Sequence, residues 1–257
     1  MKKSISYSKQ KKILEIHNIS KSFGNIDALT EASLSVCPGE ILSIVGDNGA
    51  GKSTLIKIIA GVYQMDSGSI YLNGKTVELK TAAHALSLGI STVFQDLAMV
   101  ETLDVATNMF LGNPLKKAYI FVDRKKMYEK TTSLLKDLGI NLPSVYAPIN
   151  VLSGGQRQAV AVARAILQEG QVILMDEPTA ALGVRETNQV LDIINQLRDR
   201  GKSIILISHD LEVVFNISNK IQVLRLGKVQ GIRNVSETNK EEIVGMITGA
   251  ISADKTI

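Results

Sequence analysis

The sequence predicts an α/β fold: a mainly parallel sheet covered by helices, with a helical segment inserted into it. Three observations predict this. Segments 172–175 (VILM) and 203–207 (SIILI) are short and almost wholly apolar, the pattern of strands buried on both faces of a parallel sheet. Segment 184–198 between them has helical spacing and enough length for the crossover that parallel strands require. Between residues 95 and 153, by contrast, no convincing strand pattern is found, while helical patterns recur. A chain of 257 residues with 45% hydrophobic content can bury the core of one large α/β domain with a subdomain.

The elements follow in order. Segment 13–19 alternates apolar and polar residues, as a half-buried strand does. Segments 32–36 and 40–45 read as strands joined by the turn Cys37-Pro38-Gly39, and 52–60 reads as a helix ending at Gly61, a residue suited to a helix stop. Strands at 69–72 and 76–79 flank Asn73-Gly74, a hairpin signal. A helix over 81–88 closes at Gly89 and is followed by a strand at 90–94. Helices are expected at 104–111 and 123–138, then at 154–168. A late hairpin pairs 221–226 with 229–232 around Gly227-Lys228, and 241–247 is the last helix. The chain is read as one domain, with core 1–95 and 151–257 and a helical subdomain at about 96–150. No internal repeat or low-complexity linker interrupts it.

Residues 46–53 carry the chemistry. Gly46-Asp47-Asn48-Gly49-Ala50-Gly51-Lys52-Ser53 fits the phosphate-loop pattern and lies between a predicted strand and a predicted helix. Glycines let backbone N–H groups turn inward around phosphate oxygens, and the helix points its positive end at the same place. Lys52 then reaches the β- and γ-phosphates and Ser53 ligates Mg²⁺, with Thr54 next in the same helix start. The second half of such a site is Asp176-Glu177, leaving the end of a buried strand, where open α/β sheets place ligands. Asp176 is expected to hold Mg²⁺ through water, and Glu177 to act as general base toward the γ-phosphate.

Between these halves stands Leu152-Ser153-Gly154-Gly155-Gln156. Ser153 is suited to cap a helix whose first turn is Gly154-Gly155, which gives a second anion-binding helix start. With this pentapeptide in place, the chain resembles the nucleotide-binding subunit of an ABC transporter almost from end to end. The resemblance implies a phosphate-loop NTPase (RecA-like) core with an antiparallel β subdomain and the inserted helical subdomain. It implies ATP and Mg²⁺ as ligands, and ATP held between two copies of the domain, each signature (Ser153, Gly154, Gly155, Gln156) meeting the nucleotide of the other. It assigns Phe23 to stacking on adenine, Gln95 to Mg²⁺ and the attacking water, and His209 to the γ-phosphate. The other histidines, His17 and His84, match no family position and read as structural. One departure stands out: Gly183 replaces the acidic residue that many members carry at the end of the loop following Glu177.

Three strings, at 46–63, 152–166 and 176–187, resemble the monosaccharide-import branch, with nucleoside or other small-solute import as the alternative. In that branch many chains carry two tandem ATPase domains. A chain with one is expected to work as a homodimer, on the cytoplasmic face of the membrane, against integral-membrane permease subunits served by a periplasmic or lipid-anchored sugar-binding protein. The insertion, near 95–111, is the expected permease contact.

Composition excludes other classes. With no Trp and 4% aromatic residues, stacking platforms for nucleic acid are not expected, and neither the sustained heptads of repair ATPases nor a charged linker is present. No stretch approaches the ~18 apolar residues of a membrane span. The net charge of +4 owes much to Lys2, Lys3, Lys9, Lys11 and Lys12, read as a solvated terminus, with a contact to acidic lipid headgroups or RNA as the alternative. The lone Cys37 fits a reducing compartment and a structural role.

Overall fold

The computed structural model describes residues 11–117, 120–168 and 170–252. The reading of Lys2, Lys3 and Lys9 lies outside them. The first sheet is antiparallel. β1 (Leu14–Phe23) pairs with β2 (Ile26–Val36) on one side and with β4 (Ser67–Leu72) on the other, and β5 (Lys75–Val77) completes the order β2-β1-β4-β5. β1 and β2 run further than their alternation predicts. Register shifts between Ile16 and Ile19, and again beyond Ile19, break the period of two, and Asn18 and Glu31 adopt positive φ. A bulge moves the next side chain to the other face, so a strand carrying bulges loses its sequence signature while keeping its ladder.

The second sheet has the order β12-β11-β3-β10-β9-β6. It comprises β3 (Ile41–Val45), β6 (Ile90–Val93), β9 (Val172–Asp176), β10 (Ser203–Ile207), β11 (Lys220–Arg225) and β12 (Lys228–Asn234). All neighbours are parallel except β12, which returns antiparallel from β11. Every residue of β3, β9 and β10 is buried, as the apolar runs of β9 and β10 predict; in β3, Ser43 interrupts the run and is buried with it. The pleat divides them. Ile173, Met175, Ile204 and Leu206 enter one core, with α5 (Gly154–Leu167) and α6 (Val184–Asp199). Val172, Leu174, Ile205 and Ile207 enter a second core, with α1 (Lys52–Ile59) and the antiparallel sheet.

The remaining helices fill in around these layers. α2 (Ala82–Ser87) is capped by Thr81, whose hydroxyl accepts from the His84 N–H at 3.1 Å. In the insertion, α3 (Val105–Met109) and α4 (Arg124–Asp137) are capped by Asp104 and Asp123. The insertion is not free of strand, contrary to the sequence expectation: β7 (Lys116–Lys117) and β8 (Phe121–Val122) form a small antiparallel ladder. Two residues per strand are too few to show a period. A helix the sequence reading did not find, α7 (Leu211–Ile217), begins at Asp210, whose carboxylate accepts from the Glu212 N–H at 2.8 Å. α8 (Lys240–Thr248) packs with α7 and β11 in a third small core through Val214, Ile221, Ile243 and Met246. Among the described residues no helix is long and apolar enough to cross a membrane.

Candidate functional site

The carboxyl ends of β3, β6, β9 and β10 point the same way, because these strands are parallel. Each carries a predicted site residue just beyond it: the phosphate loop after β3, Gln95 after β6, Asp176 and Glu177 at the end of β9, and His209 after β10. Open α/β sheets bind ligands in this crevice. A cleft of about 390 Å³ occupies it, and Asn48, Gly49, Ala50, Gly51, Lys52, Ser53, Thr54, Gln95, Asp176 and Glu177 all line it.

The phosphate loop is fixed by close approach of backbone. A Cβ at Gly46 would stand 2.0 Å from the Leu224 carbonyl oxygen, and one at Gly51 2.5 Å from that of Ala28. Only glycine lets the loop lie this near β11 and β2. Gly49 differs: no atom lies within 4 Å of the position its Cβ would take, so the space beside it is open. The start of α1 has no side-chain cap, and its first N–H groups are therefore available to an anion. The loop thus fits a polyphosphate.

Lys52 Nζ donates to the carbonyls of Gly46 at 2.7 Å and Asp47 at 2.9 Å. Burial pulls its pKa below the usual lysine value, and the neighbouring Glu177, Asp176 and Asp47 carboxylates oppose that shift. Asp176 is shifted the other way: burial raises its carboxyl, while a hydrogen bond from Ser53 and the charges of Lys57 and Lys52 work against the rise. Ser53, Asp176 and Gln95 line the same cleft and offer an oxygen donor set of the type Mg²⁺ takes alongside phosphate oxygens. Glu177 has a left-handed backbone, φ 55°, held by its N–H donating to the Ile207 carbonyl at 3.0 Å. For a non-glycine residue this conformation is strained, and such strain collects at functional sites. His209 Nδ1 lies 2.5 Å from Glu177 Oε2, so the two side chains meet.

Phe23 does not line the cleft. It is 43% exposed and stacks edge-to-face on Tyr63, ring centroids 5.3 Å apart. Its strand partner Ile26 does line the cleft, with Asp27 and Ala28, so Phe23 stands beside it. The sequence reading missed Ile26, Asp27 and Ala28. They reach the site only because the antiparallel sheet docks on the phosphate loop, where Gly227 donates to Ala50 at 3.1 Å and Thr30 donates to Gly227 at 2.8 Å. No local pattern signals that contact.

The structure does not bring Ser153, Gly154, Gly155 or Gln156 to this cleft. Ser153, Gly155 and Gln156 line a different one, of about 560 Å³, between the start of α5 and α6. Ser153 caps α5 as expected: its hydroxyl accepts from the Gln156 N–H at 3.2 Å, and Gln156 Oε1 accepts from the Ser153 N–H at 3.0 Å. The other end of the Gln156 amide donates to the Asn141 carbonyl at 3.2 Å, so this side chain is engaged within the chain. The hydroxyl proton of Ser153 and the first N–H groups of α5 stay available to an anion from outside. Beside them, Gly183 donates its N–H to Glu186 Oε2 at 3.1 Å. A Cβ at Gly155 would stand 2.8 Å from the Glu186 side chain. Glu186 thus supplies a carboxylate to the loop whose usual acidic residue is missing.

The chain is similar to known proteins over most of its length. Residues 29–180 match the ABC transporter family model. The xylose/arabinose import ATP-binding protein of Sulfolobus acidocaldarius is 43% identical over 92% of this chain and 94% of its own. The fructose import ATP-binding protein of Rhizobium meliloti is 41% identical over 94% and 95%. A ribose import ATP-binding protein of Caldanaerobacter subterraneus is 40% identical, with 92% of this chain matching 48% of that one. Among solved structures, an ATP-binding cassette of an ABC transporter in its ADP conformation superposes with a TM-score of 0.79 at 29% identity, covering 92% of this chain and 95% of that one. A dimeric cassette in a post-hydrolysis state bound to ADP and Pi gives 0.72 at 25%, covering 86% and 98%.

Proposed function

This chain belongs to the ABC transporter family, and from that premise we propose that it hydrolyses ATP to drive import of a monosaccharide through a separate membrane permease. The observation that carries the reading is the single cleft shared by the phosphate loop, Gln95, Asp176 and Glu177, together with relatives named as sugar import ATP-binding proteins. In this reading the loop N–H groups and Lys52 bind the β- and γ-phosphates, and Phe23 stacks on the adenine from beside Ile26. Ser53, Asp176 and Gln95 hold Mg²⁺, which when bound neutralises charge on the phosphate oxygens. Glu177 takes the proton of the attacking water, and His209, already in contact with it, fixes its orientation. Because the signature lies apart from this cleft, Ser153, Gly154 and Gly155 serve the nucleotide of a second copy. The working unit is then a homodimer on the cytoplasmic face of the membrane. The dimeric relative supports that arrangement.

One experiment tests both parts. Glu177→Gln is expected to lower turnover by about 10²- to 10⁴-fold, the usual contribution of a general base, and to accumulate an ATP-dependent dimer in light scattering. Adding Gly154→Asp, which sets a negative charge at the α5 start, is expected to return that variant to monomer. Normal hydrolysis by Glu177→Gln would sink the base assignment. A dimer unaffected by Gly154→Asp would sink the shared site.

A further inference from the structure

Arg164 lies in the last turn of α5, the helix that begins at the signature. An arginine there has a ready local use, neutralising the helix's own carboxyl-terminal dipole. Its guanidinium does something else. Nη2 donates to the Leu97 carbonyl at 2.6 Å and Nη1 to the Ala98 carbonyl at 3.0 Å. Burial draws its pKa below the usual value, and among the described residues two backbone carbonyls, not a carboxylate, receive its hydrogen bonds.

The segment it grips is the one that follows Gln95. Ala98 has φ 47°, a left-handed conformation that is strained for a non-glycine residue and persists only when its surroundings fix it. Both polar groups of Ala98 are held: the N–H donates to Asp96 Oδ1 at 3.2 Å and the carbonyl accepts from Arg164. Two residues on, the segment is anchored again to α3. Asn108, fully buried, accepts from the Val100 N–H at 2.8 Å and donates to the Val100 and Leu103 carbonyls at 3.0 and 3.1 Å. Leu97 and Met99 pack into the same core as α5. The segment therefore has no slack relative to α5 at Leu97 and Ala98, and α5 is a stiff rod with the signature at its other end.

We propose that Arg164 is the positioning residue that makes the Gln95 segment move with the signature helix, so that binding of the second copy's nucleotide at Ser153–Gln156 is felt at Gln95 and at the neighbouring insertion surface. The inference rests on the reading that α5 meets the second copy's ATP and that Gln95 serves the site. A bidentate arginine is suited to this role, because its planar fork fixes two carbonyls at once, whereas a lysine holds one as a point charge.

The test is hydrogen exchange of the amides at 97–101, measured with and without ATP in the full chain carrying Glu177→Gln, alongside turnover in the Glu177 parent. With Arg164 present, ATP is expected to slow exchange in this segment. Arg164→Met is expected to remove that response and to lower kcat about 10- to 100-fold, the cost of misplacing a reacting group by about 1 Å, with the KM for ATP changed by less than about twofold. Arg164→Lys should fall between, and it carries the same comparison if the methionine variant does not fold. ATP-dependent protection that persists in both variants, or is absent with Arg164 intact, overturns the proposal, as does an unchanged kcat. Gln95→Ala separates the two readings: full activity in that variant would remove Gln95 from the chemistry while leaving the exchange result to judge the link.

Discussion

The sheet strands β9 and β10 and the insertion helix α4 use apolar residues in opposite ways. Every residue of both strands is buried, and each strand feeds two cores. α4, at 14 residues, buries only Met127, Thr131 and Leu135, a single stripe at intervals of four, and leaves its other faces to solvent. Ahead of it in the chain, Ile120 and Phe121, the first residue of β8, are 78% and 64% exposed. The sheet is built to hold groups still at the ends of its strands. The segment between β6 and β9 leaves more of its apolar surface uncovered. Stability and chemistry concentrate in the first region, and adaptable contact area in the second.

That contrast can be broken by measurement. The largest effect is expected from Leu174→Ala, which removes a fully buried side chain from the middle of β9. A loss of about 3 kcal/mol in denaturant unfolding is expected for a site that cannot collapse, and a loss below 1 kcal/mol would show the sheet to be far more compliant than its burial implies.

A smaller effect of opposite sign is expected at the strand's end. Burial raises the Asp176 carboxyl above the usual carboxylate range, so the folded state holds its proton more tightly than the unfolded state does. Ionisation therefore destabilises the nucleotide-free fold as pH climbs through the raised pKa. Asp176→Asn should stabilise the protein at neutral pH by on the order of 1 kcal/mol, typical of relieving a partly compensated buried charge, and the gain should vanish below the ordinary carboxylate range. Melting curves across pH check this. An asparagine variant less stable than the parent at neutral pH would mean that Ser53 and Lys57 outweigh burial there.

The smallest effect is expected from Phe121→Ser in the insertion, within about 0.5 kcal/mol of the parent, as for exposed positions generally. A loss comparable to that of Leu174→Ala would make the hairpin as firmly packed as the sheet and erase the comparison.

The same contrast explains what was legible in the sequence. β9 and β10 announce themselves because burial on two faces demands almost wholly apolar runs, and the phosphate loop does so because backbone contacts at Gly46 and Gly51 admit no other residue type. The Ser153 cap was legible for a local reason, a hydroxyl three residues before a glutamine. β7 and β8 escaped because two residues carry no period, and α7 escaped because seven residues after Asp210 were too short a window. Ile26, Asp27 and Ala28 reach the cleft through contact between sheets remote in sequence, and Arg164 reaches Leu97 and Ala98 across 67 and 66 positions. Such pairings are set by tertiary packing and leave no trace in either segment alone.

The pleat of β9 also limits how this chain can vary in length. Val172 and Leu174 face one core while Ile173 and Met175 face the other, and Asp176 closes the strand. Deleting one residue would reverse the parity: each side chain would point into the core built for its neighbour, and the carboxylate would leave on the wrong side of the sheet. Substitution can be absorbed here one methyl at a time, but an insertion or deletion of one cannot. The spacing from Val172 to Asp176 behaves as a counted quantity rather than an approximate one.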